Sequence, residues 1–230
     1  MPDDFTRIPT GIEGLDELIE GGFPQNFVVL VAGSSGTGKT TLTMQYLIEG
    51  IKQGERGMYI GLGESSDVIK KSMARYDIDL DKLGETDDLV FADIPALEIS
   101  DISALINSMS DRTKRVVIDP ISALVFKYER ELDLRQKIRE LVELLREKGV
   151  TTIITTEVLE GSEGISRFGI EDFLADGIIV LYYFREGAKR FRGLEIRKMR
   201  GTAHSEMIHL YRIESGRGLR VFPREKVFHG

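Results

Sequence analysis

A glycine-rich loop between a predicted strand and a predicted helix constrains the fold of this chain more than any other feature. The nine residues of the loop read Gly33-Ser34-Ser35-Gly36-Thr37-Gly38-Lys39-Thr40-Thr41, and the first eight match the pattern G-x-x-x-x-G-K-T. The apolar, β-branched run at 27–32 predicts a buried parallel strand. After the loop, apolar residues at 42, 46 and 47 share one helical face.

Strand, glycines and helix together suit the binding of phosphates. Glycines let the backbone approach phosphates closely with its N–H groups turned inward, and the helix N-terminus adds a positive dipole end. All nine loop residues are therefore predicted to bind a nucleoside triphosphate. Lys39 is expected to contact the β- and γ-phosphates, and the Thr40 hydroxyl is expected to hold Mg²⁺.

Composition narrows the class of protein further. The chain has 230 residues, which suits one α/β domain over residues 1–230, and it has no cysteine that could form a disulfide or ligate zinc. Its net charge of −7 disfavours non-specific attachment to nucleic acid or to an anionic membrane. No apolar run reaches 18 residues, and the acidic start at 1–4 is unlike a signal peptide, so a cytoplasmic location is expected.

The order of the predicted elements indicates an α/β fold. Strand-like runs at 58–62, 89–92, 116–118 and 150–154 alternate with helical patterns at 66–76, 101–110 and 133–148. This alternation predicts a mostly parallel sheet flanked by helices. Four further strand-like runs between 178 and 222, separated by turn residues, predict a C-terminal β-meander. The segment 10–22 is expected to form a short helix with Thr10 as its cap.

Asp119 is a second candidate site residue. It follows three apolar residues at 116–118 and ends their predicted strand, at the edge of the sheet where open α/β folds bind ligands. An aspartate there, opposite Thr40, would orient the water shell of Mg²⁺. The alternative is a turn-capping role, because Asp-Pro pairs commonly begin turns and Pro120 comes next.

A cationic cluster at 198–204 begins at the end of the second of the β-meander runs. Lys198 and Arg200 are two residues apart and would share one face of a strand, Gly201 would allow a tight turn, and His204 adds an imidazole. Such a group suits an anionic target, because phosphoryl transfer requires positioned cations. An exposed strand edge, protected from pairing by its charges, would explain the same residues.

These motifs together resemble the KaiC-like branch of the RecA/RadA ATPase superfamily. The resemblance covers nearly the whole chain, and beyond the glycine-rich loop it is carried by the opening at 10–22, the stretch at 169–177 and the run at 198–205. It implies a RecA-like fold, ATP with Mg²⁺ as the bound nucleotide, and self-association into a hexamer-like ring. It also implies that Lys198, Arg200 and His204 act on the ATP of a neighbouring subunit.

One position departs from the family pattern. Members commonly carry two adjacent acids after the second strand, whereas this chain reads Leu62-Gly63-Glu64-Ser65. RecA and RadA relatives place the glutamate that activates water at the first of these positions, which is glycine here. A positioned acid–base group contributes roughly 10²–10⁴ in rate. Either Glu64 takes this role alone or hydrolysis is slow.

Three classes of function stay open at this point. A regulatory or signalling ATPase would use nucleotide occupancy to switch its conformation and its binding to a protein partner that the sequence does not identify. A DNA-repair accessory of the RadA-paralogue kind would bind single-stranded DNA, which the loop at 157–172, with five acids against one arginine, disfavours. A structural ring without catalysis is the third.

Overall fold

The glycine-rich loop follows a central strand of a large sheet. The computed structural model describes residues 5–74, 80, 86–94, 98–128, 130–158 and 174–227. The strands are β1 (Arg7–Ile8), β2 (Phe23–Pro24), β3 (Val28–Gly33), β4 (Arg56–Gly61), β5 (Leu89–Asp93), β6 (Thr113–Asp119), β7 (Thr151–Glu157), β8 (Gly177–Glu186), β9 (Lys189–Met199), β10 (Ile208–Glu214) and β11 (Gly218–Lys226). The α-helices are α1 (Lys39–Lys52), α2 (Ser66–Met73), α3 (Ile99–Asn107) and α4 (Glu131–Glu147).

Nine of these strands form one sheet in the order β11-β10-β9-β8-β3-β7-β6-β4-β5. One part of the sheet is parallel and consists of β8, β3, β7, β6, β4 and β5. The other part is an antiparallel meander of β8, β9, β10 and β11, so β8 belongs to both parts. The predicted fold class is therefore confirmed. Because β3 lies between β7 and β8, the loop that follows it opens at the carboxyl edge of the parallel part of the sheet.

The two faces of the sheet bury separate apolar layers. Val29 and Val31 of β3 belong to the layer that contains Leu42 of α1, while Val28 and Leu30 belong to the layer that α3 and α4 complete. This alternation is the period of two that a strand imposes on its side chains. Both faces of the strand are thus covered, which holds its carboxyl end in a fixed position. Among the described helices, none is both long enough and apolar enough to span a membrane.

The opening segment differs from its prediction. The expected helix over 10–22 is a short 3₁₀ segment at Asp16–Ile19. Thr10 does not cap it, because its hydroxyl and its N–H both donate to the Asp16 carboxylate, the hydroxyl at 2.6 Å. This local side-chain contact competes with regular helical hydrogen bonding.

Candidate nucleotide-binding site

The backbone of the glycine-rich loop has a shape that requires glycine. Gly36 and Gly38 have φ values of 78° and 93°, in the left-handed region that other residues rarely adopt. A Cβ atom at Gly38 would also lie 2.5 Å from Ile213 Cδ1 of β10. The curved backbone places the amino end of α1 at the loop, as an anion site requires.

Lys39 is the first residue of α1 and is buried under the loop. Its ammonium group donates to the carbonyl oxygens of Gly33 and Ser34, at 2.9 and 3.1 Å. Burial lowers the pKa of Lys39, and the negative charges of Asp119 and Glu157 partly offset this effect. The loop thus encloses a desolvated cation, which a bound anion would stabilise.

The Asp119 carboxylate lies beside Thr40 at the end of β6. Its Oδ2 accepts hydrogen bonds from Thr40 Oγ1 at 3.1 Å and from Tyr59 Oη at 2.7 Å, and its Oδ1 accepts one from Thr155 Oγ1. These three hydroxyls come from three different elements, so the carboxylate is directed into the site. The turn-capping alternative receives no support from these contacts. A hydroxyl and a carboxylate at this distance are the hard oxygen ligands that Mg²⁺ prefers.

One pocket of about 290 Å³ brings most of the predicted site residues together. Its lining residues are Ser35, Gly36, Gly38, Lys39, Thr40, Thr41, Tyr59, Gly63, Glu64, Asp119, Pro120 and Glu157. Of the other loop residues, Gly33 ends β3, Ser34 accepts from Lys39, and Thr37 is buried. Sequence reasoning assigned no role in the site to Tyr59, which lies on β4, or to Glu157, which ends β7.

The position that lacks the usual acid faces the same pocket. Glu64 is exposed and lines the pocket, next to Gly63. A Cβ atom at Gly63 would lie 3.3 Å from Pro120 Cδ, a tight contact that a shift of a few tenths of an ångström would relieve. The backbone therefore has room for a side chain at 63. Of the two adjacent acids in the family pattern, this chain has one, Glu64.

The C-terminal meander contacts the loop directly. Tyr211 of β10 donates its hydroxyl to the Thr37 carbonyl at 2.6 Å, and Arg192 of β9 donates to the Gly36 carbonyl at 3.3 Å. The Arg192 guanidinium also lies over the ring of Tyr183, 4.8 Å from its centroid. These contacts hold the outer turn of the loop against the antiparallel strands. No local pattern in the sequence pointed to them.

The cationic cluster lies elsewhere, at the opposite edge of the sheet. Lys198 Nζ donates to the Ala175 carbonyl at 2.6 Å, and Arg200 Nη1 donates to Asp176 Oδ1 at 3.0 Å. His204 Nδ1 lies 3.1 Å from the Ser205 carbonyl oxygen. None of the three is among the residues that line the described pocket. β9 ends at Met199, so Arg200 lies in the following turn, which corrects the expectation that both cations extend from one strand face.

The comparison with protein families shows to which family the chain belongs. The family model for the KaiC ATPase matches residues 8–226 of the chain. The chain belongs to the KaiC-like ATPase family. This family is a branch of the RecA superfamily of P-loop ATPases, as the loop, the sheet order and the C-terminal meander indicate.

Individual KaiC relatives agree with this assignment. The circadian clock oscillator protein KaiC of Prochlorococcus marinus subsp. pastoris is 38% identical over 211 residues, which cover 86% of this chain and 42% of the relative. KaiC of Synechococcus elongatus is 34% identical, over 95% of this chain and 44% of the relative. The chain thus spans less than half the length of these curated relatives.

A solved structure matches the whole fold. A KaiC-like protein from the archaeon Pyrococcus horikoshii superimposes with a TM-score of 0.87 at 36% identity, over 95% of this chain and 100% of that chain. The RecA-like fold predicted from the sequence is therefore confirmed.

Proposed function

We propose that this chain is a ring-forming KaiC-like ATPase that binds ATP with Mg²⁺, hydrolyses it slowly, and uses nucleotide occupancy for regulatory or signalling switches of conformation. The observation that carries the proposal is the contact of 3.1 Å between Thr40 Oγ1 and Asp119 Oδ2. It joins the end of the glycine-rich loop to the end of β6, where Thr40 and Asp119 would hold Mg²⁺ beside a bound triphosphate.

The residues of the pocket divide into binding and catalytic roles. Loop N–H groups and the Lys39 ammonium bind the triphosphate, and Thr40 and Asp119 hold the metal ion. Bound Mg²⁺ supplies neutralisation of the phosphate charge that develops in the transition state. Glu64 orients the attacking water from the open side of the pocket. Because Gly63 provides no second carboxylate, we expect slow turnover.

The location of the cationic cluster supports a ring. Asp176, which binds Arg200, pairs with Val28 at the amino end of β3, whereas the glycine-rich loop begins at Gly33, the carboxyl end. Five residue steps of a strand span about 17 Å, which is longer than an arginine side chain. Arg200 therefore lies too far from the loop of its own chain. The pocket of a neighbouring copy is its proposed target, with Lys198 and His204 in the same role.

Two measurements on one preparation test the proposal. Native mass with and without ATP reports assembly, and ATPase activity per subunit across a dilution series reports whether assembly is needed for catalysis. We expect ATP to raise the native mass and the specific activity to fall on dilution. A monomer with full activity would contradict the ring, and equal ATPase activity with and without Mg²⁺ would contradict the assigned roles of Thr40 and Asp119.

The same preparation distinguishes the alternative of a DNA-repair accessory. The acidic loop at 157–172 lies mainly outside the described residues, and its sequence, with five acids against one arginine, disfavours DNA. We expect no retention of single-stranded oligonucleotide on the ATP-bound protein at physiological salt. Salt-dependent retention would instead favour the recombination class.

A further inference from the structure

A buried carboxylate shared by two arginines lies beneath the cationic cluster. Asp176 directly precedes β8 and is 5% exposed. Arg146 Nη2, from the last turn of α4, lies 2.9 Å from its Oδ1 and 3.0 Å from its Oδ2, and Arg200 Nη1 lies 3.0 Å from Oδ1. The Val28 N–H donates to Oδ2 at 3.1 Å. Asp176 therefore receives hydrogen bonds from two strand-end segments and a helix.

Backbone hydrogen bonds fix the same segment from both sides. The Asp176 N–H donates to the Val28 carbonyl at 2.8 Å, and the Arg200 N–H donates to the Asp176 carbonyl at 3.1 Å. Lys198 Nζ binds the preceding carbonyl, that of Ala175, at 2.6 Å. Both cations of the cluster are thus held to two consecutive residues at the amino end of β8. The turn that contains Arg200 cannot shift without breaking these contacts.

The balance of charge shows that Asp176 does not cancel the charge of Arg200. Among the residues that the structure describes in this cluster, Asp176 is one carboxylate facing the guanidinium groups of Arg146 and Arg200, with the Lys198 ammonium on the Ala175 carbonyl. The described part of the cluster therefore keeps an excess of positive charge. The Arg200 side chain remains 54% exposed, while that of Asp176 is 8% exposed. Asp176 thus holds one nitrogen of the Arg200 guanidinium group, and the rest of that group faces outward.

We propose that Asp176 is a positioning residue that orients Arg200 toward the triphosphate bound by a neighbouring copy, and that Arg146 supplies the second charge which leaves Arg200 cationic toward its target. This inference rests on the proposed function, in which Arg200 acts between subunits. A long, flexible side chain that is already ordered loses less conformational freedom when it contacts the transition state. The contribution of Asp176 should therefore be seen in kcat and not in the binding of ATP.

The test compares Asp176→Asn with a matched acid-to-amide change at another arginine–carboxylate pair. Asparagine keeps an acceptor for the Val28 N–H and loses the charge that holds Arg200. We expect kcat to fall by about 10- to 100-fold, the cost of a misplaced catalytic group, with KM for ATP unchanged. The control is Glu55→Gln, which removes the partner 2.6 Å from the buried Arg115 Nε. It should lower the unfolding midpoint and leave kcat at the parental value.

Mixing experiments separate a positioning role from a structural one. An Asp176→Asn subunit has an intact loop, and a Lys39→Ala subunit has an intact Asp176 and Arg200, so their mixture should regain activity that neither has alone. The positioning role would be overturned if Asp176→Asn kept the parental kcat while Arg200→Ala was impaired and regained activity on mixing with Lys39→Ala subunits. The proposed function would still stand in that case. Failure of the Arg200→Ala mixture itself would overturn the action between subunits.

A second variant keeps the inference testable if Asp176→Asn does not fold. Arg146→Gln changes a partly exposed side chain of α4 (38% exposed) and leaves Asp176 ionised beside Arg200. The Asp176 carboxylate then neutralises the charge of Arg200, so kcat should fall while the protein stays folded. Parental kcat in folded Arg146→Gln would overturn the role of Arg146 and, if Asp176→Asn is unfolded, the proposal as a whole.

Discussion

The Tyr59 hydroxyl donates a hydrogen bond of 2.7 Å to Asp119 Oδ2, the same oxygen that accepts from Thr40. The two residues lie on β4 and β6, which are parallel neighbours. Burial raises the pKa of Tyr59 far above its ordinary value, and the negative charge of Asp119 raises it further. The phenol is therefore protonated at neutral pH and available as a hydrogen-bond donor. It fixes the orientation of the carboxylate that is proposed to hold Mg²⁺.

Replacing Tyr59 by phenylalanine should therefore affect both stability and the metal requirement. The variant loses a hydrogen bond to a charged group, which is worth about 1.5–3 kcal/mol of unfolding free energy. A carboxylate with one fewer fixed partner should also need more Mg²⁺ for half-maximal ATPase activity. Denaturant unfolding and a Mg²⁺ titration measure the two effects.

Tyr46→Phe is the matched control for this change. Tyr46 is also buried, and its hydroxyl donates to the Thr151 carbonyl at 2.9 Å, at the amino end of β7 and away from the pocket. Its loss should cost about 1 kcal/mol of unfolding free energy and leave the Mg²⁺ midpoint unchanged. Equal Mg²⁺ midpoints in the two variants would show that Tyr59 serves stability alone.

The buried ammonium of Lys39 predicts a pH dependence of ATP binding. Burial lowers its pKa in the empty pocket, and the negative charges of a bound triphosphate would raise it. Between these two pKa values the complex holds a proton that the empty protein lacks. ATP affinity should therefore fall as the pH rises through the pKa of the empty site.

Calorimetric titrations in buffers of different ionisation heat would detect the proton taken up on binding. Lys39→Ala should abolish ATP turnover, weaken ATP binding and remove the pH dependence of that binding, with the fold retained. An affinity that does not change with pH, without proton uptake, would contradict the role of Lys39, as would parental binding by Lys39→Ala.

The features that the sequence predicted well are local ones. The loop at 33–41 is set by glycines at two positive-φ positions between a strand and a helix, all within one short stretch. The strands of the C-terminal meander follow from alternation and turn residues at neighbouring positions. Asp119 could be placed because the carboxyl ends of parallel strands meet at one edge of the sheet.

The contacts that the sequence did not predict join distant parts of the chain. Tyr59 and Asp119 are 60 residues apart, and Tyr211 and Thr37 are 174 apart, so no periodic pattern links them. Asp176 stood out only as part of a family motif. Its two arginines come from α4 and from the turn after β9, so no local pattern links the three residues. The opening helix was predicted too long because the Thr10–Asp16 contact competes with helical hydrogen bonds.

Glu64→Gln tests the carboxylate that is proposed to orient water. The amide keeps the size of the side chain and removes its ability to accept a proton, so the chemical step should slow by roughly 10²-fold or more. ATP affinity should change little, because Glu64 does not contact the phosphates in this account. Single-turnover hydrolysis gives the rate of the chemical step.

Glu157→Gln is the comparison within the same pocket. It removes a carboxylate whose assigned effect is on Lys39 alone, and its chemical step should stay near the parental rate. A large loss in Glu157→Gln with parental turnover in Glu64→Gln would transfer the water-orienting role to Glu157.

Restoring the missing acid should speed hydrolysis. Gly63→Glu places a second carboxylate beside Glu64, at a backbone position that lacks the positive φ at which a side chain is strained. The close approach to Pro120 is a packing cost, which Gly63→Ala measures by itself. We expect faster single-turnover hydrolysis in Gly63→Glu than in Gly63→Ala. Equal rates would show that the glycine does not limit turnover.

The most direct test of the central claim is to mix Lys39→Ala with Arg200→Ala. Each variant alone should be nearly inactive, because one lacks a working loop and the other lacks the cation for its neighbour. In mixed assemblies, some interfaces pair an intact loop with an intact Arg200, and a cation supplied between subunits can be worth about 10³–10⁵ in rate. The account predicts that activity returns on mixing and peaks near equal proportions. If both variants are inactive and co-assemble, yet no mixture recovers activity, Arg200 does not act on a neighbouring subunit and the central claim is wrong.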